Sequence, residues 1–317
     1  MSREVTAPSP PTSGPAKPFN PWPGPVLLAG GGYQDGGLLL NRLGLQALRL
    51  ATVNLAFRAR KRPVDDDLEP HVEAFDRDGV VLIENFLAPD VFARIREECR
   101  QAREAGLFKE RPLDDVVNKT IKVTAREEAL RYTWEQLTTN DRLLRLAAAF
   151  TRLPGIDPDR MKIDVDYMAK RPADVAPPDK LLGAEHLHAD THYPSAKAWL
   201  MLDDIDEQNG AFMYAKGSKQ LNLARIAYEY DASVRTAQAL RNGTAYVSVP
   251  IGVVRAPTPR QLKAMAIVET SVSGKANTIV FADVMGFHRR GTFAEGATRE
   301  QVIFRFGDRP VERRRPS

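Results

Sequence analysis

Residues 276–291 read ANTIVFADVMGFHRRG. The run at 278–282 is rich in β-branched and aromatic side chains, which fit a pleated, half-buried surface, so it is predicted as a strand. It is followed closely by Phe287-His288-Arg289-Arg290-Gly291, which sets a histidine just beyond that strand. Working outward, similar short runs occur at 80–83, 120–124, 161–168, 196–202, 212–214, 245–249 and 301–306, separated by Gly, Pro and Asn. Many short strands with such punctuation predict an antiparallel sandwich or barrel, mainly β, with flanking helices gathered before it. Ala88-Pro89-Asp90 opens one helix over 89–104, with Pro at a position where no amide hydrogen is needed. Residues 220–242 read as a helix that interrupts the strands, and there is no internal repeat.

The chain has five histidines, and four lie near this pattern. Residues 185–193 read EHLHADTHY, so His188 and Asp190 stand two apart and His288 follows 100 residues after His188. A histidine and an aspartate at this spacing, joined by a distant histidine, form a two-histidine, one-carboxylate triad that leaves one face of Fe(II) open. Those positions suit 2-oxoglutarate, through its C1 carboxylate and keto oxygen, and dioxygen. Arg299 comes eleven residues after His288 at the start of a predicted strand. A guanidinium forms two parallel charge-assisted hydrogen bonds with a carboxylate, which suits the distal end of that dicarboxylate. A shifted reading with His186 and His188 as the ligand pair gives up Asp190 and the carboxylate that the triad needs.

At 317 residues, 43% hydrophobic and 27% charged, the chain is of ordinary globular composition, and one main domain is expected. Its net charge of +4 is unevenly spread. Residues 36–64 carry six basic and no acidic side chains, and residues 309–317 carry four arginines against one glutamate. The remainder is therefore acidic, with a net charge of −5 by difference from the total. A nucleic-acid binder spreads basic residues over a folded face, and that class is set aside. The single cysteine, Cys99, rules out an internal disulfide or an all-thiolate site and falls in register with Val91, Ile95 and Ala102, as a buried thiol would. No apolar run reaches membrane-spanning length and no secretory signal opens the chain, so a soluble cytoplasmic protein is expected.

Composition divides the chain into a Pro-rich, unpacked tail over 1–35, a basic amphipathic helix within 36–64, a catalytic domain over 65–308 and a basic tail over 309–317. In the helix Leu39, Leu43, Leu50, Val53 and Phe57 form one stripe, with Arg42 and Arg49 on another face. Two uses stand open: packing on the catalytic body or a second subunit, and peripheral contact of residues 36–62 with the anionic inner membrane face, which would bring the enzyme to a lipid-linked substrate. Oligomeric state is not legible.

Residues 70–307 resemble the phytanoyl-CoA dioxygenase family of 2-oxoglutarate oxygenases. The resemblance lies in FDRDGVVLIENFL at 75–87, His188-Ala189-Asp190, AWLMLDDIDEQNGAFMYAKGSKQ at 198–220, ANTIVFADVMGFHRRG at 276–291, and Arg299. It implies a double-stranded β-helix, the cupin-like jelly roll of about eight strands, with the metal inside its open end. It implies Fe(II), 2-oxoglutarate and O2 as cofactor and co-substrates, with His188, Asp190 and His288 as both catalytic and metal residues and Arg299 as the co-substrate residue. Lys216-Gly217-Ser218-Lys219 departs from the Pro-Gly-Ser-His turn frequent in the family and puts that loop in question. Because the carboxylate ligand is retained, where halogenating relatives replace it with a small residue, hydroxylation of a small-molecule or lipid-linked substrate is favoured.

Around this centre, His192, Tyr193 and Lys197 either line the substrate side or decorate a loop and strand, Trp199 and Trp134 read as core, and Asp203, Asp204 and Asp206 as a solvated turn. Lys119 and Lys122 are further candidates for holding 2-oxoglutarate. Residues 220–242, with Arg225, Tyr228, Tyr230, Arg235 and Arg241, suit a lid whose arginines would accept an anionic substrate group. The competing reading is a jelly-roll zinc enzyme or binding protein that uses His186, His188 and His288 and has no oxygenase activity.

Overall fold

The computed structural model describes residues 37–63, 65–112, 116–172, 174, 186–242 and 256–306. Its strands are β1 (Val80–Ile83), β2 (Lys109–Pro112), β3 (Val116–Val123), β4 (Lys162–Lys170), β5 (Ala196–Met201), β6 (Phe212–Ala215), β7 (Glu269–Val272), β8 (Ile279–Asp283), β9 (His288–Arg290) and β10 (Thr298–Arg305). Its α-helices are α1 (Gly37–Arg42), α2 (Leu45–Arg58), α3 (Glu69–Asp78), α4 (Pro89–Glu104), α5 (Arg131–Thr138), α6 (Asp141–Thr151), α7 (Leu223–Arg241) and α8 (Pro259–Ala264).

Seven strands pair in the order β1-β8-β5-β10-β4-β3-β2, every pairing antiparallel, and three form a second sheet in the order β7-β6-β9. This is the expected double-stranded β-helix with flanking helices. Alternation divides the large sheet into two chemically different faces. On one, Ile163, Val165, Ala198, Leu200, Phe281, Val302 and Phe304 join Ile95, Leu143, Leu146 and Phe150 from the helices in the main core. Phe150 stacks on Phe75 with centroids 4.2 Å apart, which ties α6 to α3. On the other face the register brings Lys197, Trp199 and Met201 of β5 beside Arg305, Ile303 and Gln301 of β10, and Arg299 beside Met168 of β4. That inner face is rich in polar side chains, as the inside of a barrel that holds a ligand requires.

The strand expectations at 80–83, 120–124, 161–168, 196–202, 212–214, 278–282 and 301–306 coincide with β1, β3, β4, β5, β6, β8 and β10, with ends moved by up to a few residues. The one at 245–249 lies outside the described residues. The expectation over 36–62 needs correction. Gly44, at φ 93°, breaks the segment into α1 and α2 and turns the two halves so that they no longer share one face. Leu50, Val53 and Phe57 pack inward as expected, but Leu39 and Leu43 face outward, and Arg49 is buried. No helix among the described residues is long and apolar enough to cross a membrane.

Candidate metal centre

The centre is assembled by backbone pairing. His188 and His288 exchange both amide-to-carbonyl hydrogen bonds, at 2.9 and 2.8 Å, and the Asp190 amide donates to the Val284 carbonyl at 2.9 Å. The turn that leads to His288 is fixed from below. The Asp283 carboxylate accepts from the amides of Ser195 and Met285, both at 3.1 Å, and the Tyr214 hydroxyl donates to the Asp283 carbonyl at 2.8 Å. Gly286 is required there, because a Cβ would lie 2.0 Å from the Tyr214 hydroxyl oxygen. Lys219, at the position that departs from the family turn, is partly buried 3.7 Å from Asp283 and lies over the Phe75 ring at 4.5 Å. The departure thus supplies an ion pair under the metal-facing turn.

Each imidazole is aimed by its own backbone. Nδ1 of His188 lies 2.6 Å from the His186 carbonyl, and Nδ1 of His288 lies 2.9 Å from the Gly286 carbonyl. A carbonyl only accepts, so Nδ1 carries the hydrogen and Nε2 keeps the lone pair that a metal needs. The Nε2 atoms lie 3.5 and 3.6 Å from the Asp190 carboxylate oxygens. One ligand atom from each of the three residues falls within 4.8 Å of the others. Donors held about 2.1 Å from one ion at right angles stand about 3 Å apart, so small adjustments would seat a metal here. The two-nitrogen, one-oxygen donor set with an open side fits Fe(II). Burial pushes the Asp190 carboxyl up, but the electrostatic influence of His288 and His188 and of the Lys197 ammonium outweighs it and holds the group well below the ordinary carboxylate range.

Lys197 donates to Asp190 through Nζ, so the structure draws it into the site. Trp199 and Phe212 stack at 4.7 Å, and Phe212 lies 5.4 Å from the His288 ring, forming an apolar wall. Trp199 is thus part of the inner face, whereas Trp134 packs on the core as expected. His186 is exposed and His192 is buried against Tyr193, and neither belongs to the ligand cluster.

Arg299, at the start of β10, is buried and donates to the Gly210 carbonyl, sits 3.4 Å from the Met168 sulfur and lies over the Phe293 ring at 5.4 Å. Its Nε has no hydrogen-bond partner among the described residues. Burial, then the positive charge of Arg290, pull its pKa down to about 9. Arg290 itself was not anticipated. It is buried and stands two residues after His288, so strand alternation brings it to the same face of β9, and this offset was the signal available. Asn118 of β3, in register with Met168, is a second unanticipated side chain at this end, and its Oδ1 has no partner among the described residues. Lys119 and Lys122 are exposed and do not join the site. The lid arginines are also corrected: Arg225 is buried against Glu229 at 2.9 Å, and Arg235 pairs with Asp231 at 3.1 Å.

A family model described as phytanoyl-CoA dioxygenase matches residues 75–251. The chain belongs to the phytanoyl-CoA dioxygenase family. Membership gives it the general chemistry of an iron- and 2-oxoglutarate-dependent dioxygenase, with Fe(II), 2-oxoglutarate and O2 as cofactor and co-substrates. Solved structures are similar to this phytanoyl-CoA dioxygenase relative. The epimerase SnoN, in complex with Fe3+, alpha ketoglutarate and nogalamycin RO, is 14% identical with a TM-score of 0.50, over 75% of this chain and 82% of that one. AviO1 from Streptomyces viridochromogenes is 17% identical with a TM-score of 0.48, over 79% and 99%. EctD from S. alaskensis is 14% identical with a TM-score of 0.48, over 81% and 83%. No curated protein sequence matches the chain.

Proposed function

We propose that the protein hydroxylates an unactivated C–H bond of a small-molecule or lipid-linked substrate, with His188, Asp190 and His288 holding iron and Arg299 holding the distal carboxylate of 2-oxoglutarate. The observation that carries this reading is the convergence of the three ligand atoms within 4.8 Å, carboxylate included. Iron bound there would supply activation of O2, the oxidant, with one oxygen atom going into succinate as 2-oxoglutarate loses CO2 and the other into the hydroxylated product. The chain's own residues do the positioning. The backbone carbonyls of His186 and Gly286 fix the two rings, Arg299 and Arg290 offer cationic donors at the co-substrate end, and the Trp199–Phe212 wall excludes water beside the metal. A retained Asp190 leaves no place for a halide in its stead, which favours hydroxylation over halogenation. The zinc reading loses its third histidine, because His186 stands outside the cluster. The catalytic unit in this reading is 65–308, with 36–64 as an appended helical element.

The test is anaerobic titration of metal-free protein with Fe(II) and then 2-oxoglutarate, following the weak visible charge-transfer absorption of the chelate. Wild type should develop the band, His188→Ala and His288→Ala should lose it, and Arg299→Ala should bind iron yet need far more 2-oxoglutarate. No band in wild type, or equal bands in the histidine variants, would overturn the assignment. Product analysis with candidate substrates then separates hydroxylation from desaturation, epoxidation or ring closure.

A further inference from the structure

α1 and α2 turn the usual distribution of side chains inside out. Asn41, Gln46 and Arg49 are fully buried and Asn54 nearly so, whereas Leu39, Leu43, Leu48 and Leu55 are 70, 74, 54 and 71% exposed. Leu39 and Leu43 are one helical turn apart, and Leu48 and Leu55 two turns apart, so each pair forms an outward ridge. The buried side is occupied by the body of the protein: both helices pack on α7, and the Tyr230 hydroxyl donates to the Arg42 carbonyl at 3.1 Å. The leucines are thus left on the far side from the core, and exposed apolar clusters of this kind mark interaction surfaces.

We propose that this outward face docks the protein on an anionic lipid bilayer. Charge decides the occupant. Residues 37–62 contain six basic and no acidic side chains; Arg49 is buried and Arg62 pairs with Asp76, while Arg42, Arg58 and Lys61 are exposed. A convex helix with projecting leucines and cationic flanks matches the interface of an acidic membrane, into which the leucines insert while the arginines meet lipid phosphates. Pairing of this face with itself about a two-fold axis would oppose like charges. The docked face is also well placed for delivery of substrate. On its other side α7 packs Tyr228 and Ala232 against Leu187, Ala189 and Phe287, the immediate neighbours of His188, Asp190 and His288. A bilayer bound by α1 and α2 therefore lies one helix away from the metal centre.

The test is co-sedimentation of the full chain with vesicles of phosphatidylcholine alone or mixed with phosphatidylglycerol, alongside two variants, Leu39→Ser/Leu43→Ser/Leu48→Ser/Leu55→Ser and Arg42→Glu/Arg58→Glu. Every changed side chain is exposed, so thermal melting and the iron–2-oxoglutarate absorption should stay as in wild type, which separates failure of docking from failure of the proposed catalytic site. Wild type should sediment with the mixed vesicles and not with phosphatidylcholine, and each variant should bind at least about tenfold more weakly. Wild type left in the supernatant with both vesicle types, or variants sedimenting as well as wild type, would overturn the proposal. So would a change of oligomeric state, by light scattering, as the only effect of the leucine substitutions.

Discussion

At the scale of single residues, the end proposed to hold the co-substrate is governed by charge. Burial and the charge of Arg290 depress the protonation of Arg299, and a bound carboxylate relieves it. Replacing Arg290 with Gln should therefore weaken 2-oxoglutarate binding by about tenfold to a hundredfold, the range of one charge-assisted hydrogen bond. Calorimetric titration of metal-loaded protein checks this, and unchanged affinity would remove Arg290 from the site. Asp166 on β4 has the opposite problem: burial pushes its carboxyl up from the ordinary value of 3.8. A raised carboxyl means that the folded state binds more protons than the unfolded one, so stability falls as pH rises through the elevated value. Asp166→Asn removes that cost. Its melting temperature should exceed that of wild type at neutral pH, and the difference should vanish below about pH 4, where the wild-type group is protonated in both states. The cluster of His188, Asp190 and His288 was legible in the sequence because ligand chemistry is tied to residue type and order, and Arg299 stood out as a candidate by its place after His288. Arg290 was passed over because an arginine beside a glycine reads as ordinary surface until the strand that holds it is known.

At the scale of elements, α7 shows why a correct span can carry a wrong role. The sequence predicts a helix over 220–242 and the structure has it at Leu223–Arg241, but periodicity does not tell which neighbour a side chain meets. Arg225, read as a lid residue for substrate, instead donates to the Ser218 carbonyl at 2.7 Å and the Met285 carbonyl at 2.8 Å and pairs with buried Glu229. It ties the helix to the turn before His288. Arg225→Ala leaves Glu229 buried without that cation, which should cost about 3–5 kcal/mol. Chemical denaturation measures the loss, and iron affinity should fall with it as the turn loosens. The strands β7 and β9 escaped prediction for a different reason. ETSV and HRR lack apolar alternation, and their pairing comes from β6.

For the whole molecule, the sheet is a partition, with the helical layer on one side and the barrel interior on the other. The helical side was legible from apolar periodicity, as at α4, where Ile95, Cys99 and Ala102 are all buried as their spacing predicts. The arrangement of the first two helices was not, because the direction in which a break at Gly44 sends the chain depends on what it meets afterwards. The same partition bears on oxidative wear. Cys99 shares its core with Ala198, while the next residue along the chain from Ala196 to Ala198 is Lys197, whose ammonium touches Asp190 on the opposite face. Burial raises the Cys99 thiol far above its ordinary pKa, so it carries no thiolate at neutral pH. Reactive oxygen escaping an unproductive cycle thus meets the indole, the phenyl ring and the methionine sulfurs of the inner face before it meets Cys99, and the chain's one thiol should remain reduced through the wear of turnover.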